Sequence, residues 1–465
     1  MTLIVAAPPT YEPERRYILG VVFSEWLGLD WQLRQEERSD VTVSLAGEES
    51  SRQLVLPEAL FATDAAAWLT EASLPAPPLP RREIDGRSLP VLYGAPPMPA
   101  TVISEQGDAV RVAVDVLGSA FFMLTRYEEM AVGERDAYGR FPAFASLAER
   151  EGFVRVAIVD AYVELLWGAL RRLWPRLERR PRSFRLALTH DVDDPLASMG
   201  RTPRRLARQL AADALVRRDP ALAAQRVRSW AARRRGDFRL DPYNTFDFLM
   251  GVSERHGIAG AFYFLATEEA STRNGPYTLE HPWVRSLIAT IHGRGHEIGY
   301  HAGFDTYRDA ERTGEEFRRL RAAAGEIGVS QSQWGGRQHY LRWENPSTWE
   351  NWETAGLDYD STVGFADRIG FRLGTSHEFP VFHLRRRQPL RLRERPLLIM
   401  DRTLFDYMRL SHDEAEDAVL EIAGECRRAK GTLTLLWHNS TLPMAAQRRW
   451  YEGLTAALAQ ASSSS

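Results

Sequence analysis

The chain has 465 residues, 44% of them hydrophobic and 26% charged, an ordinary balance for a folded chain of about two or three domains. Its net charge of −3 gives no whole-chain attraction to nucleic acid, and no run of about 18 apolar residues reads as a membrane span. The single cysteine, Cys426, excludes an internal disulfide, fits a reducing compartment and reads as buried filler in a helix.

Residues 1–180 are expected to form a separate α/β domain. The opening stretch, MTLIVAAPPTYEPERRYILGVVF, has no basic segment before its short apolar run, so a cytoplasmic location is expected. Strand-like runs occur at Tyr17–Phe23, Val41–Leu45 and Ala109–Val116, with helices expected over Ser119–Met130 and Ala161–Leu173. The proline-rich segment Leu74–Pro80 is a loop. Thr125–Glu129 and Tyr138–Phe141 are polar and aromatic clusters. Either they line a cleft against the barrel formed by the rest of the chain, or they are a solvated helix face and a turn, the commoner origin of such clusters.

The stretch FRLALTHDVDD, residues 184–194, organises the remainder. Phe184–Leu188 reads as a buried strand, and it ends in Thr189, His190, Asp191, Asp193 and Asp194. Carboxylates at the carboxyl end of a strand sit where α/β barrels assemble their ligands. Asp191 and Asp193 are two apart, share a face on a continuing strand and repel, which a metal ion would relieve. A metal-assisted hydrolase needs ligands for the ion and a separate carboxylate as base, and the D-x-D can supply one of each. The alternative is a strand-to-helix loop with Asp193 or Asp194 as N-cap.

Residues 201–239 hold 12 arginines against Asp213, Asp219 and Asp237, a local charge of +9. Alanines and leucines between them suggest one or two amphipathic helices inserted over 196–240. Such an insertion either guides an anionic sugar phosphate or rests peripherally on an anionic membrane surface, or it is a solvated hairpin over the barrel mouth. No recognised nucleic-acid fold accompanies it.

Further apolar segments occur at Ala261–Leu265, His296–His301, Trp334–Tyr340, Leu357–Asp360, Pro396–Asp401 and Gly431–His438. With Phe184–Leu188 that makes seven, six of them ending in groups able to bind metal or move protons. Helical patterns lie between: Asp241-Pro242 with Gly257, Asn345-Pro346 with Gly356, and Ser411 with Glu414 at capping-box spacing before Gly431. Strand and helix alternating seven times argue for a parallel barrel, open or closed. Trp334, Trp343, Trp349, Trp352 and Trp437 lie near strand ends; Trp334 and Trp437 are the two read as substrate walls. The tail Ser462–Ser465 is low-complexity.

These segments, over about residues 181–460, resemble the polysaccharide deacetylases, carbohydrate esterases of the nodulation chitooligosaccharide deacetylase type. The resemblance implies a distorted (β/α)7 barrel, preceded here by a smaller α/β domain, and a divalent metal, zinc first. THDVDD resembles the first motif, which implies Asp191 as catalytic base and Asp193 as metal ligand. GHEIGYHAGFD resembles the second, giving His301 and Asp305, although the family has histidine at the latter position. His339 in RQHY competes as third ligand. Arg337 matches the arginine that orients the base, without the family's following proline. Asp360 in YDS falls where an aspartate partners the catalytic histidine, and LLWHN implies His438 as general acid. In the resulting scheme a backbone N–H near Tyr340 meets the oxyanion, Asp401 is an alternative partner of His438, and Tyr340, Trp334, Trp437 and Asp401 face substrate. DVLGSAFFMLTRYEE, DAYGRF and GFRLGT are similar to a bacterial branch that carries an N-terminal domain of unknown function and is associated with surface-polysaccharide synthesis.

The expected function is removal of N- or O-linked acetyl groups from a sugar or polysaccharide precursor, anionic or lipid-linked, inside the cell. The rivals are hydrolysis of a non-sugar amide on the same barrel and an inactive glycan-binding or assembly protein. A glycosidase using Asp191 and Asp360 leaves the histidines unexplained.

Overall fold

The computed structural model describes residues 1–48, 52–199, 203–215, 218–271 and 273–460. Arg201, Arg217 and the serine tail therefore lie outside the described residues. In the N-terminal part the strands are β1 (Thr2–Ala7), β2 (Asp30–Gln35), β3 (Asp40–Leu45), β4 (Gln53–Pro57), β5 (Arg81–Ile84), β6 (Arg87–Pro90), β7 (Ile103–Gln106) and β8 (Ala109–Val112). Six of them form one mixed sheet in the order β2-β1-β3-β4-β8-β7, and β5 with β6 forms a separate hairpin. The helix Ile158–Leu173 buries Tyr162, Leu166, Ala169, Leu170 and Leu173, the i, i+4, i+7 stripe that a helix lying on a sheet requires.

Three local expectations change here. Tyr17–Phe23 is helical: Glu12–Leu19 runs on into wider turns over Gly20–Leu27, where Val21, Val22 and Phe23 are all buried. A short run buried on every side has no period to separate helix from strand. The strand at this end is β1. Ala109–Val116 stops as a strand at Val112, because Asp115 accepts from Gly118 N at 2.8 Å and caps the helix Val116–Leu124. The helix expected over Ser119–Met130 breaks at Arg126, whose φ is 50°, and resumes as Glu128–Ala131.

The second sheet is built from β9 (Arg185–Val192), β10 (Ala261–Leu265), β11 (Glu297–Ala302), β12 (Gly335–Gln338), β13 (Tyr359–Asp360), β14 (Phe379–His383), β15 (Gln388–Glu394), β16 (Ile399–Met400) and β17 (Thr432–Leu436). Their order is β14-β15-β13-β12-β11-β10-β9-β17-β16, and every neighbouring pair is parallel except β14 with β15. The seven expected segments are β9 to β13, β16 and β17. The hairpin β14–β15 adds two strands, so the sheet ends in β14 and β16 rather than closing on seven. Its turn carries no glycine or asparagine to betray it; Arg387 takes the left-handed conformation instead, φ 53°.

The arginine-rich insertion is two helices, Pro203–Leu215 and Pro220–Ala232, joined by a buried Arg226–Asp213 pair at 2.5 Å. Asp241 does not cap the helix after it, which starts at Phe246. Its carboxylate instead accepts from Ala197 N, Ser198 N and Ser229 Oγ and ties down the base of the insertion. Gly356 and the Ser411–Glu414 capping box act as their spacing predicts.

One apolar core runs from Leu3 to Leu458 through both sheets. Polar joints cross it. Arg372 donates to both Glu129 oxygens at 2.9 and 2.6 Å, Arg126 donates to Glu129 at 2.7 Å, and Tyr17 Oη donates to Pro380 O at 2.9 Å. Cys426 is buried. Among the described residues no helix is long and apolar enough to cross a membrane.

Candidate metal centre and active site

Because β9, β11, β12, β16 and β17 are parallel, their carboxyl ends lie on one side of the sheet. Asp191 is the penultimate residue of β9 and Asp193 follows its end; His301 is near the end of β11; Arg337 is on β12 and His339 in the turn after it. Asp401 follows β16, and His438 comes two residues after β17. A cavity of about 440 Å³ gathers Asp191, Asp193, His301, His339, Tyr340 and His438. A larger one, about 620 Å³, opens at the opposite ends of the strands beside Tyr263 and Glu297 and holds none of these six, so size alone does not mark the site.

Asp193 is the centre of the cluster. Its Oδ1 stands 3.0 Å from His301 Nε2 and 3.5 Å from His339 Nε2, and its Oδ2 stands 3.5 Å from His438 Nε2. Ligand atoms of Asp193, His301 and His339 all lie within 4.8 Å of one another. His301 Nδ1 lies 2.9 Å from the carbonyl of Arg337, which can only accept, so Nδ1 carries a proton and Nε2 of the neutral ring is a bare lone pair. Asp193 Oδ1 and His301 Nε2 are both buried without a hydrogen-bond partner. Two acceptors facing each other at that distance require a positive centre between them, a proton or a metal cation, and one carboxylate with two imidazoles suits a divalent ion. Burial would raise the Asp193 carboxyl, but His339, His301 and His438 outweigh it and hold it well below the usual range. Burial likewise works against charge on His301, and Asp191 and Asp193 overcome it and raise its pKa; His339, with burial dominant, is lowered.

Two further units flank this cluster. Arg337, fully buried, donates from Nη1 to Asp191 Oδ1 at 2.8 Å, from Nε to Ser361 O at 2.7 Å and from Nη2 to Ser361 Oγ at 3.0 Å. With all three nitrogens engaged, it fixes Asp191 in one orientation. On the other side His438 Nδ1 lies 2.7 Å from Asp401 Oδ1, while Asp401 Oδ2 accepts from His438 N at 2.9 Å and Thr441 Oγ1 at 2.6 Å. Asp401 is held below the ordinary carboxylate range: burial opposes this, and His438 prevails. His438 is raised against its own burial, chiefly by Asp401.

Residues 3–175 match the model of a family described as a family of unknown function, DUF7033. No curated protein matches the sequence. Among solved structures, a Mycobacterium smegmatis protein assigned to the polysaccharide deacetylases aligns at 16% identity and a TM-score of 0.40, over 60% of this chain and 85% of that one. A mutant CE4 family pseudoenzyme with restored enzymatic activity aligns at 9% identity and 0.31, over 61% and 65%. The CE4 domain of a multidomain xylanase from the hindgut metagenome of Trinervitermes trinervoides aligns at 13% and 0.29, over 60% and 85%. The chemistry available to the site rests on its own side chains.

Several expected residues lie elsewhere. Asp305 is not in the cluster: its side chain is 52% exposed and faces Arg342 at 3.4 Å, because the chain turns outward after β11. Asp360 does not touch His438. It is buried, accepts from Thr362 N at 2.9 Å and is raised to about 7 by burial. Asp401 is not on the substrate face; it stands behind His438. Trp334 precedes β12, at the end of the sheet away from the site, and packs on Phe317. Trp437 points away from its neighbour His438 into Phe405, Trp450 and Tyr451.

Arg140, from the cluster read as either cleft lining or solvated turn, lines the cavity. Tyr407, Arg402 and Arg273 also line it without having been expected there. Tyr138 stacks near Tyr340, ring centroids 5.3 Å apart, so the Tyr138–Phe141 cluster does face the barrel. The signal for Arg402 was its place beside Asp401 at a strand end.

Proposed function

We propose that the chain is a metal-dependent hydrolase that removes N- or O-linked acetyl groups from a sugar or polysaccharide precursor. The observation that carries the reading is a pair of acid–base units, Asp191 with Arg337 and His438 with Asp401, set on either side of a carboxylate and two imidazoles. A divalent cation held by Asp193, His301 and His339, zinc first, would supply Lewis acidity for the acetyl carbonyl and acidify a water.

The residues divide the proton transfers. Asp191, immobilised by Arg337, accepts a proton from the attacking water. His438 delivers a proton from Nε2 to the departing nitrogen or oxygen, because Asp401 occupies Nδ1 and fixes the ring. Tyr340, 36% exposed, lines the cavity with Tyr407, 41% exposed, and these two offer aromatic faces to a sugar ring.

The arginine-rich hairpin begins just after Asp194 and exposes Leu215, Val227 and Leu240 among its arginines. Apolar tips among cations favour an anionic bilayer surface, from which a lipid-linked sugar would reach the site. The test of the whole reading is acetate release from acetylated amino-sugar oligosaccharides by zinc-loaded protein, compared with release from small cyclic amides. An Asp191→Asn variant that keeps its metal and stays fully active would sink the assignment of the base.

A further inference from the structure

The turn that carries His339 is strained. Tyr340 and Leu341 both have positive φ, 61° and 54°, and neither is glycine. Two successive side chains in that region persist only where surrounding structure holds them. The holding structure comes from the N-terminal part of the chain.

Arg140 donates from Nη1 to Tyr340 O at 3.0 Å and from Nη2 to Tyr407 Oη at 3.1 Å, and it is 6% exposed. Its guanidinium lies over the rings of Tyr138, at 4.8 Å, and Tyr407, at 5.6 Å. Arg140 is itself preset. Asp136 accepts its Nε at 2.7 Å, its backbone N at 2.9 Å and Tyr138 N at 2.8 Å, and Asp136 N donates back to Arg140 O at 2.9 Å. The loop is therefore a closed clip rather than a flexible flap. A second fastening runs the other way: Arg342, just after the turn, donates from Nε to Tyr138 O at 2.8 Å.

We propose that Arg140 is a positioning residue for the metal site: the 136–142 loop of the N-terminal region clamps the 339–341 turn and so sets the His339 imidazole against Asp193 and His301. This gives a region matched only to a family of unknown function a stated role, completion of a site on the other sheet. The inference rests on the metal-site reading above; Arg140 acts through the carbonyl of Tyr340, the residue next to the ligand, one step beyond the outer-shell partners whose loss typically costs about 10- to 100-fold in metal affinity.

The experiment uses the full chain, stripped with a chelator, and measures Zn²⁺ and Co²⁺ affinity by competition with a chromophoric chelator, with Co²⁺ visible absorption as a second readout. Arg140→Ala is expected to weaken binding by roughly 10- to 100-fold and to change the Co²⁺ band, while circular dichroism stays that of the wild type. Arg140→Lys, which can still reach Tyr340 O but not its other partners together, is expected to fall between; should the alanine variant not fold, the lysine variant decides. In a His339→Ala background, Arg140→Ala is expected to add nothing. Wild-type affinity in Arg140→Ala, or an equal loss with and without His339, overturns the proposal. A wild-type chain that takes up no metal overturns both this and the metal-site reading, and only that outcome strikes at the latter.

Discussion

Asp193 Oδ1 and His301 Nε2 face each other at 3.0 Å, buried, and neither has a hydrogen-bond partner. Because His301 spends its Nδ1 proton on the Arg337 carbonyl, the facing pair is stable only around a positive charge.

The first prediction concerns what supplies that charge. Elemental analysis of protein purified without added metal should find a divalent ion in the wild type, lost in His301→Ala and in His339→Ala. Asp305→Ala should keep it, since that carboxylate is half-exposed and faces Arg342. Loss with Asp305 but not with His339 would return the third-ligand role to the aspartate.

His438 owes its orientation to Asp401, which binds both its ring and its backbone N–H. Asp401→Asn should leave metal content unchanged and lower kcat by about 10²- to 10⁴-fold, because the amide can present its N–H to Nδ1 and favour the wrong tautomer. Asp360→Asn should have a far smaller effect on kcat. The comparison of the two variants at equal metal loading identifies the partner.

Much of this was legible in the sequence, and the remainder has specific physical reasons. Strand ends announce themselves because an apolar run must stop where polar groups begin, so Asp191, Asp193, His301, Arg337 and His438 stood out as a set. Spacing along the chain misled at Asp305, since four residues after His301 the backbone has already left the strand. Partner choice was not legible either: Asp360 and Asp401 both lie at the ends of short strands, and only the sheet order, with β16 beside β17, puts Asp401 against His438. Arg140 lies 200 residues before Tyr340, a contact that no local pattern encodes.

The joint between the sheets should be brittle. Glu129, Arg126 and Arg372 have side chains about 1% exposed and are bonded to one another. Arg372→Met would leave Glu129 with a single cation, and removing one partner of a buried pair costs about 3–5 kcal/mol. Urea unfolding should show the midpoint fall accordingly; a change below about 1 kcal/mol would mean that water reaches the pair after the substitution.

The hairpin should bind anionic vesicles. Arg208, Arg228, Arg234 and Arg235 are exposed, as are Leu215 and Val227. Cosedimentation with phosphatidylglycerol-containing vesicles, absent with phosphatidylcholine alone and weakened by salt, is the expected result. Replacing Arg234 and Arg235 by Gln and Leu215 by Ser should abolish it. Equal binding to neutral vesicles would rule out the electrostatic account, and retention of a nucleic-acid oligomer instead of vesicles would reassign the patch.

Asp160 should contribute stability that is lost as pH rises from about 4 through about 6. Its carboxyl is 4% exposed and accepts from Thr375 Oγ1 at 2.5 Å and from Ser376 N and Oγ, both at 3.0 Å. Burial raises it from 3.8 to about 6, with those hydrogen bonds opposing. The folded chain therefore holds this proton where the unfolded chain has released it. The stabilisation is complete below about pH 4 and is lost as pH rises through about 6, a contribution of about 3 kcal/mol. Glu128, raised by burial to about 7, adds a slope of the same sign at higher pH. Asp193, Asp401 and Glu129 are lowered, so their contributions are lost only in acid, below the ordinary carboxylate range. His190 and His377, lowered by burial to about 4 and about 3, slope the other way up to about 6.5, so the Asp160 share is read from its own variant. Asp160→Asn removes the titration while giving up one acceptor, so it should lower stability at pH 4.5 and, relative to wild type, remove a falling component of the profile between pH 4.5 and 6.5. Denaturation midpoints at several pH values in that window measure it; curves for variant and wild type that run parallel would show that Asp160 does not titrate there.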